Sequence, residues 1–327
     1  MSTRSAGVEL RPDYREAVAA AIRAPSLHNS QPWRFRSRGD RLEVWLDAAR
    51  RLPAADPSGW AARVAIGAAV FNLRLAVAVQ GWQPVVRLLP DPAQPDLMAV
   101  VSPSHRHPVA PAQQRLWEAI WHRHSNRGRF LPDPVPADAR ARLVAAATAE
   151  GCWLELLIGL GPVTAVAAIT QVSNQILMRD PAYRAELAHW TRSGEVADGI
   201  PAATGGPSST PEDLLAVGPS YRPRTAGPDF ELHPLVAALG TVADAPGDQL
   251  VAGQGLQRVL LSATADGLAV SMLSQAIEVA SAREQLRLAL QRSGPPQMVL
   301  RIGYGQPGTL TARRAVADVL EEADPQP

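Results

Sequence analysis

The pattern of apolar and polar positions predicts long buried helices alternating with short strands. Two windows of fifteen residues, 67–81 and 253–267, begin and end with glycine and are mostly apolar in between. A helix that is apolar on every face must be buried, so each window predicts a helix at the centre of the molecule. Residues 41–46 alternate between polar and apolar side chains, which is typical of a strand with one buried face.

Other periodic stretches complete an α+β pattern. Further helices are expected over residues 14–23, 116–124, 137–149 and 268–282, and further strands over residues 85–89, 98–101, 153–158 and 297–302. We therefore expect helices packed on mixed or antiparallel sheets.

The two apolar windows also indicate an internal repeat. Each lies behind a helix–loop–strand opening, so residues 1–111 and 112–327 are predicted to be two copies of one unit. Such a chain would be a pseudo-homodimer with its two-fold axis built in. The alternative is that two alanine-rich helices resemble each other by coincidence.

A polar segment, residues 24–35, separates the first helix from the sequence that follows. Pro25 and Pro32 hold it out of helical conformation. Between them stand uncharged hydrogen-bonding side chains: Ser26, His28, Asn29 and Gln31. A rigid loop with this set suits the edge of a planar, polar heterocycle. It also suits a loop whose side chains cap backbone groups after a helix.

A second polar segment, residues 123–130, follows the predicted helix 116–124. Arg123, Ser125 and Arg127 alternate along it, with His124 between the first two. Guanidinium forks and a hydroxyl at a helix end can hold a phosphate group. An arginine cluster can equally be a solvated surface.

Composition narrows the chemistry. The chain has 327 residues, a formal net charge of +1 and 32 basic residues, all of which are arginine. Without lysine there is no P-loop or Schiff-base lysine, and the charge predicts neither nucleic-acid nor membrane binding. Cys152 is the single cysteine, so no disulfide or cysteine-based metal cluster is expected. With neither a signal peptide nor a membrane span visible, we expect a cytoplasmic protein.

The loop 24–35 resembles the Pro-Ser-x-x-Asn-x-Gln-Pro-Trp signature of the nitroreductase superfamily, and its His-Asn pair resembles the Acg-like actinobacterial branch. Residues 123–130 resemble the Arg-Arg-Ser-x-Arg-x-Phe opening of the same family, with His124 in place of the second arginine and one extra residue before Phe130. The resemblance covers most of the chain outside residues 194–228. It implies an FMN flavoprotein of nitroreductase-like fold.

The resemblance also implies how the cofactor is held. In homodimeric members one subunit supplies the arginine-rich opening and the other supplies the Pro-Ser loop. Here the first half keeps the loop and the second half keeps the opening, so the surviving pieces would form one flavin site. Pro25, Ser26, His28, Asn29 and Gln31 would contact the ring. The phosphate would be held by Arg123, His124, Ser125 and Arg127, with Arg313 or Arg314 from the tail.

Gly267 and Leu268 match the Gly-Leu-Gly segment that the family places near the ring, with Ala269 in place of the second glycine. No catalytic side chain is required, because the flavin carries the hydride chemistry. A metal is not expected, since His105 and His107, or His122 and His124, lack a carboxylate that would complete a ligand set. No Rossmann fingerprint or nucleophile elbow is present.

The expected activity is that of an oxidoreductase. NAD(P)H would reduce FMN and leave, and a nitroaromatic or quinone would then take the electrons in a ping-pong cycle. The Gly- and Pro-rich segment 194–228 is a candidate lid, and a closed lid would make the protein a flavin-sequestering or storage protein. A flavin-dependent tailoring oxidase or dehydrogenase is a third possibility. Duplication makes a monomer plausible without forbidding a dimer.

Overall fold

The computed structural model describes residues 11–128, 130–194, 196–201, 235–305 and 311–322. Within these ranges the fold is α+β, as the sequence predicts. The helices are α1 Tyr14–Ala21, α2 Trp60–Val79, α3 Pro111–His122, α4 Ala137–Thr148, α5 Leu160–Arg179, α6 Pro181–Trp190, α7 Pro246–Ala265, α8 Gln275–Glu278, α9 Ala280–Ala289 and α10 Val316–Val319.

Two sheets carry most of the strands. The front sheet has the order β11-β1-β2-β4-β3 and is antiparallel except where β11 runs parallel to β1. Its strands are β1 Trp33–Arg38, β2 Arg41–Leu46, β3 Trp82–Leu88, β4 Leu97–Arg106 and β11 Leu320–Glu322. The end of the chain therefore returns to the sheet that its beginning forms.

The back sheet is antiparallel and has the order β5-β8-β10-β9. Its strands are β5 Trp153–Leu157, β8 Leu235–Gly240, β9 Ala269–Leu273 and β10 Pro296–Gly303. A short parallel pair, β6 Thr191–Arg192 and β7 Ile200–Pro201, follows α6.

Helices α2 and α7 cross at the centre of the molecule, and their glycines allow the close approach. A Cβ atom on Gly67 would lie 2.1 Å from the carbonyl oxygen of Leu250, and one on Gly253 would lie 2.1 Å from that of Val64. The first glycines of the two apolar windows thus lie at one crossing. Helix α2 is apolar and long enough to cross a membrane, but 83% of its apolar window is buried in the protein, as a core helix requires.

The remaining sequence-based assignments have mixed outcomes. The helices at 14–23, 67–81, 116–124, 137–149 and 253–267 and all five strands are confirmed, with shifted ends. The helix over 268–282 is wrong, because residues 269–273 form β9, which pairs with β10, and two separate helices follow. A short apolar run does not distinguish a buried strand from a buried helix. Residues 202–228 of the candidate lid lie outside the described residues.

Candidate functional site

The loop between α1 and β1 has an unusual backbone. His28, Asn29 and Gln31 all adopt positive φ angles, of 52°, 54° and 52°, and none of them is glycine. Each such residue costs of order 1–3 kcal/mol. The hydroxyl of Ser26 accepts a hydrogen bond from the backbone N–H of Gln31 at 2.9 Å, which helps to fix the turn. All three positive-φ residues are buried, and strain of this kind concentrates at binding sites.

One side of this loop lines a cavity between α2, α7 and the end of β9, hereafter the central cavity. Its volume is about 90 Å³. Apolar side chains such as Trp60, Met272 and Met298 form much of the wall. Its hydrogen-bonding and charged groups include Ser26, His28, Arg127, Tyr183, Ser274 and Glu278. The cavity therefore combines apolar walls with a few hydrogen-bonding and charged groups, as sites for small-molecule ligands do.

Two titratable groups of the central cavity have displaced pKa values. Burial, together with the nearby charge of Arg127, lowers the pKa of His28 to about 4, so His28 is neutral at pH 7. Its Nε2 has no hydrogen-bond partner among the described residues. Burial raises the pKa of Glu278 to about 7 although Ser274 and Tyr183 hydrogen-bond to it, and the charges of Asp56 and Glu186 add to the increase.

Three arginines meet where α1, α3 and the C-terminal segment approach each other. One Nη of Arg123 donates to the carbonyl oxygen of Arg23, and one Nη of Arg313 donates to that of Ala24, each at 3.3 Å. Nε atoms of all three arginines, Arg23, Arg123 and Arg313, are buried and have no partner within the described ranges, and the same holds for Nη1 of Arg123. We call them the arginine cluster.

The arginine cluster lacks a counter-charge among the described residues. Burial lowers the pKa of Arg123 to about 10, and burial together with the charges of Arg123 and Arg23 lowers that of Arg313 to about 9. Both groups therefore stay charged at pH 7. Buried cations that keep unused donors and have no carboxylate to pair with fit an anion such as a phosphate.

The side chains of Asn29 and Gln31 point to other parts of the chain. The amide of Asn29 donates to the carbonyl oxygens of Gly199 and Ala312, at 3.0 and 3.1 Å. The side-chain amide of Gln31 donates to the carbonyl oxygen of Ala197 at 2.8 Å. The side-chain oxygen of Gln31 also accepts a hydrogen bond from the backbone N–H of Arg314 at 2.9 Å. These bonds fasten residues 197–201 and the C-terminal segment to the loop.

Arg50 strengthens the same attachment. It donates to the carbonyl oxygen of Ser30 and forms an ion pair of 2.5 Å with Asp198. Ile200, which lies in the attached segment, forms part of the wall of the central cavity. We call the set of contacts from Asn29, Gln31 and Arg50 to residues 197–201 the latch.

The other residues singled out from the sequence lie in varied places. Pro25 and Arg127 line the central cavity. Ser125 forms a bridge with Val270 beside β9, and His124 contacts the carbonyl oxygen of His122. Arg314 lies 3.6 Å from Asp47. Gly267 has a φ of 73° and ends α7, and Leu268 is buried in the core.

Sequence reasoning missed three residues of this region: Arg23, Tyr183 and Glu278. Arg23 stands directly before the Pro-Ser loop, and its position beside that motif was an available signal. Tyr183 and Glu278 come from helices α6 and α8, and no local pattern distinguishes them from ordinary helical residues. Only the packing of α6 against the loop, and of α8 against α5 and β10, brings them to the central cavity.

Known proteins resemble this chain in sequence over almost its whole length, although no protein-family model matches it. The chain is 32% identical over 318 residues to the Mycobacterium tuberculosis protein named "Putative NAD(P)H nitroreductase Rv3131", covering 94% of this chain and 90% of the relative. It is 29% identical over 317 residues to the "Putative NAD(P)H nitroreductase acg" of the same organism, covering 94% of each.

Two solved structures that align with part of the chain have low sequence identity to it. Nitroreductase A from Vibrio parahaemolyticus aligns with a TM-score of 0.41 and 11% identity, covering 65% of this chain and 78% of that one. A nitroreductase-like protein from Desulfovibrio desulfuricans, crystallised in complex with FMN, aligns with a TM-score of 0.39 and 16% identity, covering 66% of this chain and 99% of that one.

Proposed function

The chain belongs to the nitroreductase family, in its Acg-like actinobacterial branch, and on that premise we propose that it is an FMN-dependent NAD(P)H oxidoreductase. Its relatives bear the name NAD(P)H nitroreductase, and one aligned structure was crystallised with FMN. The proposed reaction moves a hydride from NAD(P)H to an electron-poor acceptor, such as a nitroaromatic or a quinone, in two half-reactions.

The arginine cluster is the observation that carries this proposal. Arginine cannot discharge itself near neutral pH, and since none of the described carboxylates pairs with Arg23, Arg123 or Arg313, a bound anion would compensate their charge. A phosphate monoester offers between one and two negative charges and several acceptor oxygens. The unpartnered nitrogen atoms of the cluster supply the donors that those oxygens require.

The central cavity supports the ring end of the same cofactor. Bound FMN supplies two-electron hydride chemistry. Trp60, Met272 and Met298 offer apolar contact to a planar ring, while Ser26 and the neutral His28 offer hydrogen bonds at its edge. We assign Arg127 to this end, because it lines the cavity and its charge acts on His28. There it would stabilise negative charge that develops on reduction.

Binding a flavin ring requires the central cavity to widen. Its volume of about 90 Å³ is well below the roughly 300–1,000 Å³ of common ligand sites. The wall that Ile200 contributes is held to the loop by the latch. Movement of residues 197–201 would therefore enlarge the cavity without disturbing the crossing of α2 and α7.

Flavin content tests the proposal directly. We expect the purified protein to be yellow, with one FMN per chain, and to oxidise NAD(P)H when a nitroaromatic is added. Arg123→Met should lose flavin, whereas Arg38→Met, at an exposed arginine, should retain it. A colourless protein that cannot be reconstituted with FMN would refute the proposal.

The latch supports flavin sequestration as a second candidate function. A cavity closed by residues 197–201 would hold FMN away from NAD(P)H and acceptor. The two functions differ in turnover: a storage protein would contain FMN and oxidise NAD(P)H slowly until the latch is weakened. Steady-state rates of the wild type and of a Gln31→Asn variant therefore separate them.

We also propose that the chain is internally duplicated, with residues 1–111 and 112–327 as its halves. The support is the mutual contact of Gly67 and Gly253 at the crossing of two helices of 20 residues each. Gly67→Ala and Gly253→Ala should then destabilise the protein to a similar extent, as measured by urea unfolding. Clearly unequal losses would argue against equivalent positions.

A further inference from the structure

Reduction of an acceptor by NAD(P)H needs a proton that the hydride does not provide. The hydride carries two electrons and one proton, whereas a quinone that becomes a hydroquinone gains two electrons and two protons. Conversion of a nitro group to a nitroso group and water also consumes two electrons and two protons. One proton per turnover must therefore reach the cavity from solvent, and a buried cavity needs a group that carries it.

Glu278 lies between the central cavity and a second, more open space. That space, hereafter the outer cleft, has a volume of about 400 Å³ and is bordered by Asp56, Ser58, Asp244, Arg283 and Glu284, among others. Trp60 and Glu278 are the two residues that line both spaces. Trp60 does not titrate and its Nε1 is bonded to Gln297, so Glu278 is the titratable group of this shared wall.

The carboxyl group of Glu278 keeps one oxygen unpaired among the described residues. Ser274 and Tyr183 hydrogen-bond to the group, while Oε2 is buried and has no partner in the part of the chain that the structure describes. The residue as a whole is half-buried, which fits a side chain that separates an enclosed space from an open one.

The charges around Glu278 favour a proton on it. Asp56 before α2 and Glu186 on α6 both raise its pKa, and burial raises it most, to about 7. Arg127 and His28 lie across the central cavity, and His28 is neutral. On the outer side, Asp244 is paired with Arg283, and Glu284 is paired with Arg287. Those cleft carboxylates are therefore occupied by arginines, whereas Glu278 is not.

We propose that Glu278 relays protons from the outer cleft to the group bound in the central cavity. The inference rests on the proposed function and adds a proton-transfer residue to a site for which the sequence predicted none. The carboxylic acid gives up its proton as the acceptor is reduced and becomes a carboxylate. It then recovers a proton from water in the outer cleft, so the side chain ends each turnover as it began.

Proton uptake on flavin reduction tests the relay without turnover. The FMN-loaded protein is photoreduced anaerobically in weak buffer at pH 7 with an indicator dye, and the protons taken up per flavin are counted. A group with a pKa of about 7 is half protonated there, and negative charge on the reduced flavin should raise that pKa further. The half of the wild-type molecules that hold a Glu278 carboxylate should then each take up a proton, so Glu278→Gln should take up about half a proton less per flavin than the wild type. Glu284→Gln, a matched change in the outer cleft alone, should match the wild type.

The acceptor half-reaction provides the kinetic readout. Glu278→Gln should slow oxidation of the reduced protein by a quinone at least tenfold, since general acid catalysis contributes about 10²–10⁴-fold. Glu278→Asp keeps an acid but withdraws it by one methylene, so it should retain the proton uptake and still react more slowly. This variant carries the test if the glutamine variant does not fold.

The outcomes separate the relay from the proposed function. Failure of the wild type to bind FMN would overturn the function together with the relay. Bound FMN with equal proton uptake and equal acceptor rates in the wild type and Glu278→Gln would overturn the relay alone. If Glu278→Asp reacted with the quinone as fast as the wild type, the relay would likewise be overturned.

Discussion

The arginine cluster and the central cavity both bury ionisable groups, yet they differ in how burial is compensated. Burial lowers the pKa of Arg123 only to about 10 and that of Arg313 to about 9, so both stay charged at neutral pH. In the cavity, burial lowers the pKa of His28 to about 4 and raises that of Glu278 to about 7. His28 is then neutral, and Glu278 is partly protonated.

This difference separates a binding region from a titrating region. Uncompensated buried cations cost several kcal/mol each in desolvation, and an anionic ligand can return that energy on binding. Groups that shift their protonation state avoid most of that cost, and they respond to pH instead of to a ligand. We therefore expect substitutions in the cluster to change ligand affinity and substitutions in the cavity to change pH dependence.

Replacing Arg123 should have the largest effect, with opposite signs in the two states of the protein. Arg123→Met should weaken FMN binding by about 2–4 kcal/mol, because it removes a desolvated partner of the phosphate. It should leave the free protein equally stable or more stable by about 1–4 kcal/mol, because a buried unpaired charge disappears. Flavin titration and urea unfolding of the FMN-free protein measure the two quantities. Loss of stability without loss of affinity would contradict an anion-binding role.

Glu278→Gln should change how the stability of the FMN-free protein depends on pH. The pKa of Glu278 is about 7 in the folded state against 4.5 ordinarily, so the folded protein binds the extra proton between these values. The contribution of Glu278 to the free energy of unfolding is therefore fully present below pH 4.5. It is lost as the pH rises to 7, by up to about 3 kcal/mol. Urea unfolding from pH 4 to 8 should show that the free energy of unfolding of Glu278→Gln rises by this amount relative to that of the wild type, whereas that of Glu284→Gln relative to the wild type stays nearly constant.

His28→Asn should change the pH dependence of stability in the opposite direction from Glu278→Gln, although both residues line the same cavity. The pKa of His28 falls from 6.5 to about 4 on folding, so its stabilising contribution is present above pH 6.5 and is lost as pH falls towards 4, by up to about 3 kcal/mol. The slopes of His28 and Glu278 oppose each other between pH 4.5 and 6.5. Asparagine tolerates the positive φ at this position, and the variant should lose stability with rising pH more steeply than the wild type over that window.

The two regions also differ in how far the sequence predicts them. Arg123 and Arg313 could be singled out because arginines beside a helix end and in a basic tail match a phosphate-binding pattern, although Arg23 was overlooked. The prolines and polar residues of the cavity loop predict a binding loop. No local pattern predicts its partners Tyr183 and Glu278, because residues 268–282 read as one helix and the sequence pattern does not predict α5 and α6. Long-range packing decides these positions, and a local pattern does not record it.

The latch connects the two regions, and Gln31→Asn should give the smallest effect. The shorter amide cannot span the 2.8 Å bond to the Ala197 carbonyl oxygen, while asparagine tolerates the positive φ that Gln31 adopts. The shorter side chain also loses the bond from the Arg314 backbone amide, but only the bond to Ala197 belongs to the latch. Loss of about 1 kcal/mol from that latch bond should speed FMN release about fivefold. Gln291→Asn is the matched control, since Gln291 also has a positive φ, of 53°, and is exposed. Stopped-flow release of FMN into an excess of apoflavodoxin-type scavenger measures the rate. An unchanged rate in Gln31→Asn would mean that residues 197–201 do not control access to the cavity, because a wall that limits release must respond when its attachment is weakened.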